Sequence, residues 1–131
     1  MISSGVYDYI NVLGKAADGA WLRNEAIANN IANANTPNYK RQDVSFENEL
    51  QHALKASRYT SLDDKVSDVN DNLSHIRPRT YTDSSGYSYR LDGNNVDIDT
   101  ENVELASNQI KYNGIVAGID NEFANLKAVI K

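Results

Sequence analysis

The chain is 131 residues long, carries a net charge of −5 and has no cysteine. Without thiols there is no disulfide, no thiolate nucleophile and no cysteine-based zinc site, and an acidic chain with no Lys/Arg cluster lacks the basic stripe that nucleic acid needs. No apolar run reaches the roughly 18 residues that would span a membrane, and much of the 40% hydrophobic fraction is Ala and Tyr, so a thin core that leans on partners is expected.

The first segment, from about Ser4 to Asn35, spaces Val6, Ile10, Leu13, Ala17, Ala20, Asn24, Ile27, Ile31 and Ala34 by alternating fours and threes. This is a heptad seam, the pattern of a coiled-coil face. At ~1.5 Å per residue the helix would be roughly 45 Å long. Gly14, Gly19 and the many Asn are weak helix formers, so packing must supply most of its stability. Asn24 is the polar residue of the seam. A buried Asn there would fix register and partner number, whereas an Asn at the wet edge of a loose interface would do neither.

The stretch Ala28 to Lys40 reads as helix, stop and sharp turn. Pro37 cannot continue a helix and pushes Thr36 toward extended geometry. Asn33 and Asn35 tolerate the left-handed conformation that ends helices, and Thr36-Pro37-Asn38-Tyr39 places Pro and Asn at the second and third turn positions. Asn29 and Asn30 lie inside the helix despite modest propensity. Their amides could solvate the helix locally or bridge to backbone of a neighbouring chain.

In the middle, Tyr39 to Phe46 reads as extended, and Phe46 to Ser57 as a short helix with Leu50, Ala53 and Leu54 as its stripe. From Tyr59 to Arg79 the chain is polar, and the acidic patch Asp63, Asp64, Asp68 and Asp71 is expected to be solvated and mobile. Thr80 to Thr82 and Tyr87 to Leu91 flank a Gly-containing turn and read as a β-hairpin. Asp92-Gly93-Asn94-Asn95 is a further turn.

The last segment, about Asp97 to Lys131, repeats the heptad spacing at Ile98, Asn102, Leu105, Gln109, Tyr112, Val116, Ile119, Phe123, Leu126 and Ile130. Asp97 or Asp99 suits its N-cap. A second stripe, Val103, Ala106, Ile110, Ala117, Ala124 and Ala128, marks either a second contact face or surface helix propensity. The expected fold is mainly α. Two long terminal helices (1–37 and 96–131) pair as an antiparallel coiled coil, and a polar, partly extended middle (38–95) projects from them.

Sites of chemistry are not evident. His52 and His75 lack companions for a metal site. Asp68 to Asn72 resembles the start of a calcium loop, but Leu73 stands at the sixth position and Arg79 at the twelfth. Asp97 and Asp99 could pair as carboxylates, yet capping explains them with less. No phosphate loop or nucleophile elbow occurs. Met1 to Trp21 has neither a basic start nor a signal-length apolar run, so the default expectation from residues alone is a cytoplasmic protein.

The run Asn29-Asn30-Ile31-Ala32-Asn33-x-Asn35-Thr36-Pro37-x-Tyr39-Lys40 resembles the signature of bacterial flagellar rod and hook proteins. Asn38 stands where that family usually has Gly; Asn is the next residue most tolerant of positive φ. Asp92 to Asp99, with Glu101, Leu105-Ala106, Asn108-Gln109, Tyr112 and the ending Phe123-x-x-Leu126-Lys127-x-x-Ile130, looks like the C-terminal region of the proximal rod members. The resemblance implies a non-enzymatic structural subunit of the basal body, needed for flagellum assembly and swimming. It would link the membrane ring and export gate to the distal rod. Export would be uncleaved, through the flagellar type III apparatus. The implied partners are copies of itself, other rod proteins and ring or gate components. No cofactor, metal, nucleic acid or small-molecule substrate is implied. In that frame Ile10, Leu13, Ala17, Ala20, Asn24, Ile27, Asn29, Asn30, Ile31, Leu105, Tyr112, Val116, Ile119, Phe123, Leu126 and Ile130 form the candidate assembly interface, and Asn35 to Tyr39 the family turn. The competing readings are a soluble coiled-coil adaptor or export-chaperone-like module, and an enzyme acting on cell-wall glycan, which would need a carboxylate pair.

Overall fold

The computed structural model of the protein describes residues 4–84 and 90–130. Its elements, in order, are α1 (Ser4–Ala32), β1 (Gln42–Ser45), α2 (Glu47–Ala56), α3 (Leu62–Asp71), a 3-10 turn (Leu73–His75), β2 (Arg79–Thr82) and α4 (Ile98–Val129). The Asp97 carboxylate caps α4, accepting from the Asp99 and Thr100 amides at 3.0 and 3.4 Å.

The long helices pack antiparallel. Asn30 meets Glu101, Asn108 Nδ2 donates to the Ala20 carbonyl at 2.8 Å, and Leu13 lies against Gly118, so positions climb along α1 as they fall along α4. On α1 the predicted seam is right: Ala20 and Ile27 are buried, and Leu13, Ala17 and Asn24 are half-buried. On α4 it is half right. Leu105, Tyr112, Ile119 and Leu126 face inward, but the alternate row is Glu101, Asn108, Ile115 and Glu122, one residue earlier than expected. The innermost α4 side chains are Glu101 and Asn108, which an apolar pattern does not select. Ile98, Asn102, Gln109, Phe123 and Ile130 are exposed instead.

The middle does not simply project. A second face of α1 carries Val12 and Ala26 into a core with Val44, Phe46, Val66, Val69 and Ile76, and Leu50 and Leu54 of α2 pack against its edge. Gly19 is what lets Phe46 in: a Cβ there would stand 2.7 Å from Phe46 Cδ1. The acidic patch expected to be mobile is α3. Ser61 caps it, accepting from the Asp64 amide, and Asp63 and Asp64 occupy the first turn, where the helix end is positive. Val66 and Val69, three apart, point into the core. Lys111 of α4 and Arg23 of α1 both reach Glu47 at the start of α2, at 2.6 and 3.2 Å.

β2 pairs with β1, antiparallel, with Gln42 opposite Thr82 and Ser45 opposite Arg79. The second arm of the expected hairpin falls largely on residues 85–89, outside the described residues. β1 takes β2 because Val44, buried, fixes β1 over the core.

Two side-chain bonds tie α3 to α1: Asn70 to Asp8 at 2.9 Å, and the Tyr9 hydroxyl to Asp63 at 2.8 Å. Burial, with the Asp63 carboxylate adding to it, pushes the Tyr9 phenol up to about 12. A folded-state pKa above the unfolded one means that this stabilisation is whole below about pH 10. It is lost as pH rises through about 12. Tyr9→Phe should therefore cost ~0.5–1.5 kcal/mol at neutral pH. The deficit against wild type should shrink as pH climbs through that window. Chemical denaturation of both chains across the alkaline range checks this; a constant deficit would contradict it.

Candidate assembly site

The end of α1 is built by its own sequence and held by residues about sixty positions later. Asn33 turns back on the helix, its Nδ2 donating to the Asn29 carbonyl at 2.8 Å, and Thr36 Oγ1 donates to Asn33 Oδ1 at 3.1 Å. The Tyr39 amide donates to the Thr36 carbonyl at 3.3 Å, closing the turn, and Asn38 takes φ 61° at its third position. That is the geometry a turn with Gly or Asn at this place requires. Asn35 and Pro37 are exposed on the outside of the bend.

The turn 92–95 grips this bend. The Asn38 amide donates to the Asp92 carbonyl at 2.6 Å. Asn94, fully buried, shares its Nδ2 hydrogens among the carbonyls of Asn33, Ala34 and Thr36 at 2.8, 3.1 and 2.9 Å. Its Oδ1 accepts from the Val96 amide at 2.8 Å. Arg90 adds a bond to the Ala34 carbonyl at 2.7 Å, and Lys40 reaches the Gly93 carbonyl. The last carbonyls of a helix lack partners within it; those of Asn29, Asn30 and Ile31 are met by Asn33 and Ala34, while the side chains on the approach to α4 hold the carbonyls of the bend that follows. Gly93 adopts φ +75° against Asn38, a conformation a side chain would strain. Asn95 continues the grip, accepting from the Arg41 amide at 2.7 Å and donating to the Asp83 carbonyl at 2.8 Å.

Beneath lies a buried polar centre. The Asp83 amide donates to the Arg41 carbonyl at 2.9 Å. By the alternation of an antiparallel pair, Gln42 then turns its backbone groups away from β2. The Asn30 amide meets both of them: Nδ2 donates to the Gln42 carbonyl and Oδ1 accepts from its N–H, each at 2.8 Å. One side chain thus stands in for a third strand on the β1 edge. Asn30 also donates to Glu101 Oε2 at 3.1 Å and accepts from the Tyr39 hydroxyl at 3.1 Å. Burial, then the Glu101 charge, holds the Tyr39 phenol above its ordinary pKa.

Glu101 is 1% exposed. Arg41 Nε donates to its Oε1 at 2.8 Å, while Arg41 Nη1 reaches Asp83 at 2.5 Å. Burial disfavours the guanidinium charge, but the bonds to Glu101 and Asp83 outweigh it and hold the Arg41 pKa above its usual range. The expectation that Asn30 reaches a neighbouring chain is corrected here. It is fully buried and its amide is consumed within the chain, because its position on α1 faces β1 and not the outside. Sequence reasoning missed Arg41, Glu101, Asn94 and Asn95 as a network; the only local signal was the tandem Asn after Asp92-Gly93.

The outward surface is where the remaining predicted residues separate. Ile10, Ile31 and Val116 are half-buried with the seam, whereas Asn29, Phe123 and Ile130 are exposed. The second α4 stripe is exposed throughout, with Val103 at 68% and Ile110 at 73%. Trp21 is 63% exposed beside Tyr112, their ring centroids 6.3 Å apart. A helix with apolar residues on its inner and outer faces is suited to several neighbours at once. Among the described residues no group of His, Cys, Asp and Glu could hold a metal ion, and no helix is long and apolar enough to cross a membrane.

Residues 10–40 match the family described as flagella basal body rod protein. The chain is 38% identical over 121 residues to the flagellar basal body rod protein FlgB of Bacillus subtilis (strain 168), spanning 92% of each chain. It is 38% identical over 117 residues to that of Borrelia hermsii, spanning 84% of this chain and 86% of the relative. To that of Escherichia coli (strain K12) it is 31% identical over 117 residues, spanning 83% of both.

Proposed function

The chain belongs to the flagellar basal body rod proteins and is a FlgB-like rod subunit; from that premise we propose that it builds the proximal rod, between the membrane ring and export gate on one side and the distal rod on the other. Its role is structural and not enzymatic, in keeping with relatives named for the rod. Its neighbours in this reading are copies of itself, other rod proteins and components of the ring and gate. It reaches the rod by uncleaved export through the flagellar type III apparatus.

The observation that carries the reading is the exposed apolar stripe of α4, running from Val103 to Ala128 on a helix already packed against α1. A face of that length in water is costly unless a neighbour covers it. The thin α1–α4 seam, with Glu101 and Asn108 as its most buried α4 side chains, supports final ordering of the pair on assembly, when burial of the outer face offsets the ordering entropy. An adaptor or chaperone-like module is not favoured, since the relatives cover nearly the whole chain and are rod proteins.

The test is fractionation of flagellar basal bodies. A small tag belongs at the exposed residues 58–60, ahead of the α3 cap and clear of the core. In cells that stay motile, the tagged chain should co-purify with detergent-resistant basal bodies. Recovery only from the cytoplasm of motile cells would refute the reading.

A further inference from the structure

A hollow of about 200 Å³ lies between α1, α2 and α4. On this side α1 presents Ala16, Gly19 and Ala20, small residues at helical spacing, and Leu50 of α2 and Ile115 of α4, both half-buried, extend the apolar lining. A cavity of that order with apolar walls takes a phenyl ring. The rim carries both signs of charge: Lys111 and Glu47, 2.6 Å apart, have side chains 39% and 51% exposed. Of the chain's two phenylalanines, Phe46 is buried and Phe123, on α4, is 52% exposed. The exposed Asp120 and Lys127 bracket Phe123, one turn before it and one turn after. Ile110, on the outer stripe, has Ala106, Ser107, Asn113 and Gly114 as its helical neighbours, none of them charged, and Trp21 is engaged with Tyr112. Phe123 cannot fill the hollow of its own chain. It lies beyond Ile115 by ~12 Å along the axis, and about 120° around α4 from Lys111.

We propose that the hollow receives Phe123 from a second copy of the chain in the rod, with Asp120 of that copy facing Lys111 and Lys127 of that copy facing Glu47. The proposal rests on the rod reading and names the contact by which one copy holds the next. Ring and hollow lie on different flanks of the molecule, so the contact is heterologous. Each copy offers its own ring to another hollow, and the series stays open unless its rotation closes. A rod grows that way, whereas a self-complementary patch stops at two copies. Docking takes the ring out of water and fills the hollow in one step. The opposite charges at its edge fix register more than they add affinity.

The test takes the full tagged chain and scores incorporation into purified basal bodies beside the melting of each purified chain. Phe123→Ala should leave melting nearly unchanged, since the residue is 52% exposed in the single chain. Its incorporation should fall about tenfold or more, the scale of one lost buried anchor. Phe123→Leu keeps an apolar knob and should retain most of the wild-type level. A photoreactive p-benzoylphenylalanine in place of Phe123 should cross-link to a second copy, within residues 16–23, 47–50 or 111–115. The products should form a ladder that runs past two copies. Wild-type incorporation of Phe123→Ala, equal loss for Phe123→Ala and Phe123→Leu, cross-links only outside those segments or only to a different protein, or products that stop at two copies would each overturn the inference. Those outcomes leave the rod reading standing. Absence of the wild-type chain from basal bodies would overturn the rod reading and the inference together.

Discussion

Replacing Arg41 by alanine is expected to lower the unfolding free energy by about 3–5 kcal/mol, a large part of what a domain of this size has. The reason is the Glu101 carboxylate, 1% exposed, which would keep only the Asn30 amide at 3.1 Å after losing the Arg41 bond at 2.8 Å. Desolvating a charge is repaid only while its partner is present. Removing one member of a buried pair therefore costs far more than removing both. Arg41→Met combined with Glu101→Leu should accordingly recover much of the loss. Urea denaturation of the single and double variants checks this through the coupling energy. Additive effects would show that the pair is solvated and that the α4 start is held by other bonds.

Replacing Phe46 by alanine is expected to cost about 3–5 kcal/mol as well, through a different route. Phe46 is 4% exposed and sits where α1 offers Gly19, with Val44 on β1 and Leu50 on α2 around it. Without the ring, α2 and α3 lose their common anchor while the α1–α4 seam keeps its contacts. Far-ultraviolet circular dichroism should then fall modestly, and amide hydrogen exchange in α3 should accelerate well beyond that in α1. Gly19→Ala alone should destabilise by about 1–3 kcal/mol through overpacking, because its methyl would meet the ring at 2.7 Å. In the Phe46→Ala background that methyl has room, and the added cost should vanish. Uniform acceleration of exchange would mean that the middle and the helix pair unfold as one.

What was legible in the sequence is what local chemistry decides. Asp97 caps α4 and Asn38 takes positive φ because each answers to its neighbours within a few positions. The seam of α1 was legible because its residues are apolar at heptad spacing. The alternate row of α4 was not, because its first half is polar in either register: heptad spacing offers Asn102 and Gln109, and only the distant partners Asn30, Arg41 and Ala20 select Glu101 and Asn108 instead. Asn30 and Glu101 stand seventy-one positions apart. Helix α3 was missed for a related reason: Val66 and Val69 are too few to set a period, while the Asp residues that begin it look like a solvated run. In each failure a long-range contact overrode a local preference. Those long-range contacts make up the buried centre and the grip on the end of α1.

That grip is at one end. The bend after Ala32 is bound to the approach to Ile98, whereas Ser4 and Val129 lie at the opposite end of the antiparallel pair. The molecule is therefore a zipper with a closed base. Tension applied at the two termini would part α1 from α4 progressively from the free end, one turn at a time, at low force. The Asn94 and Arg41 bonds would give way last, and together. A chain drawn by either end into a narrow conduit would yield in that order. On release the closed base would be the first part to re-form and would set the register for everything above it.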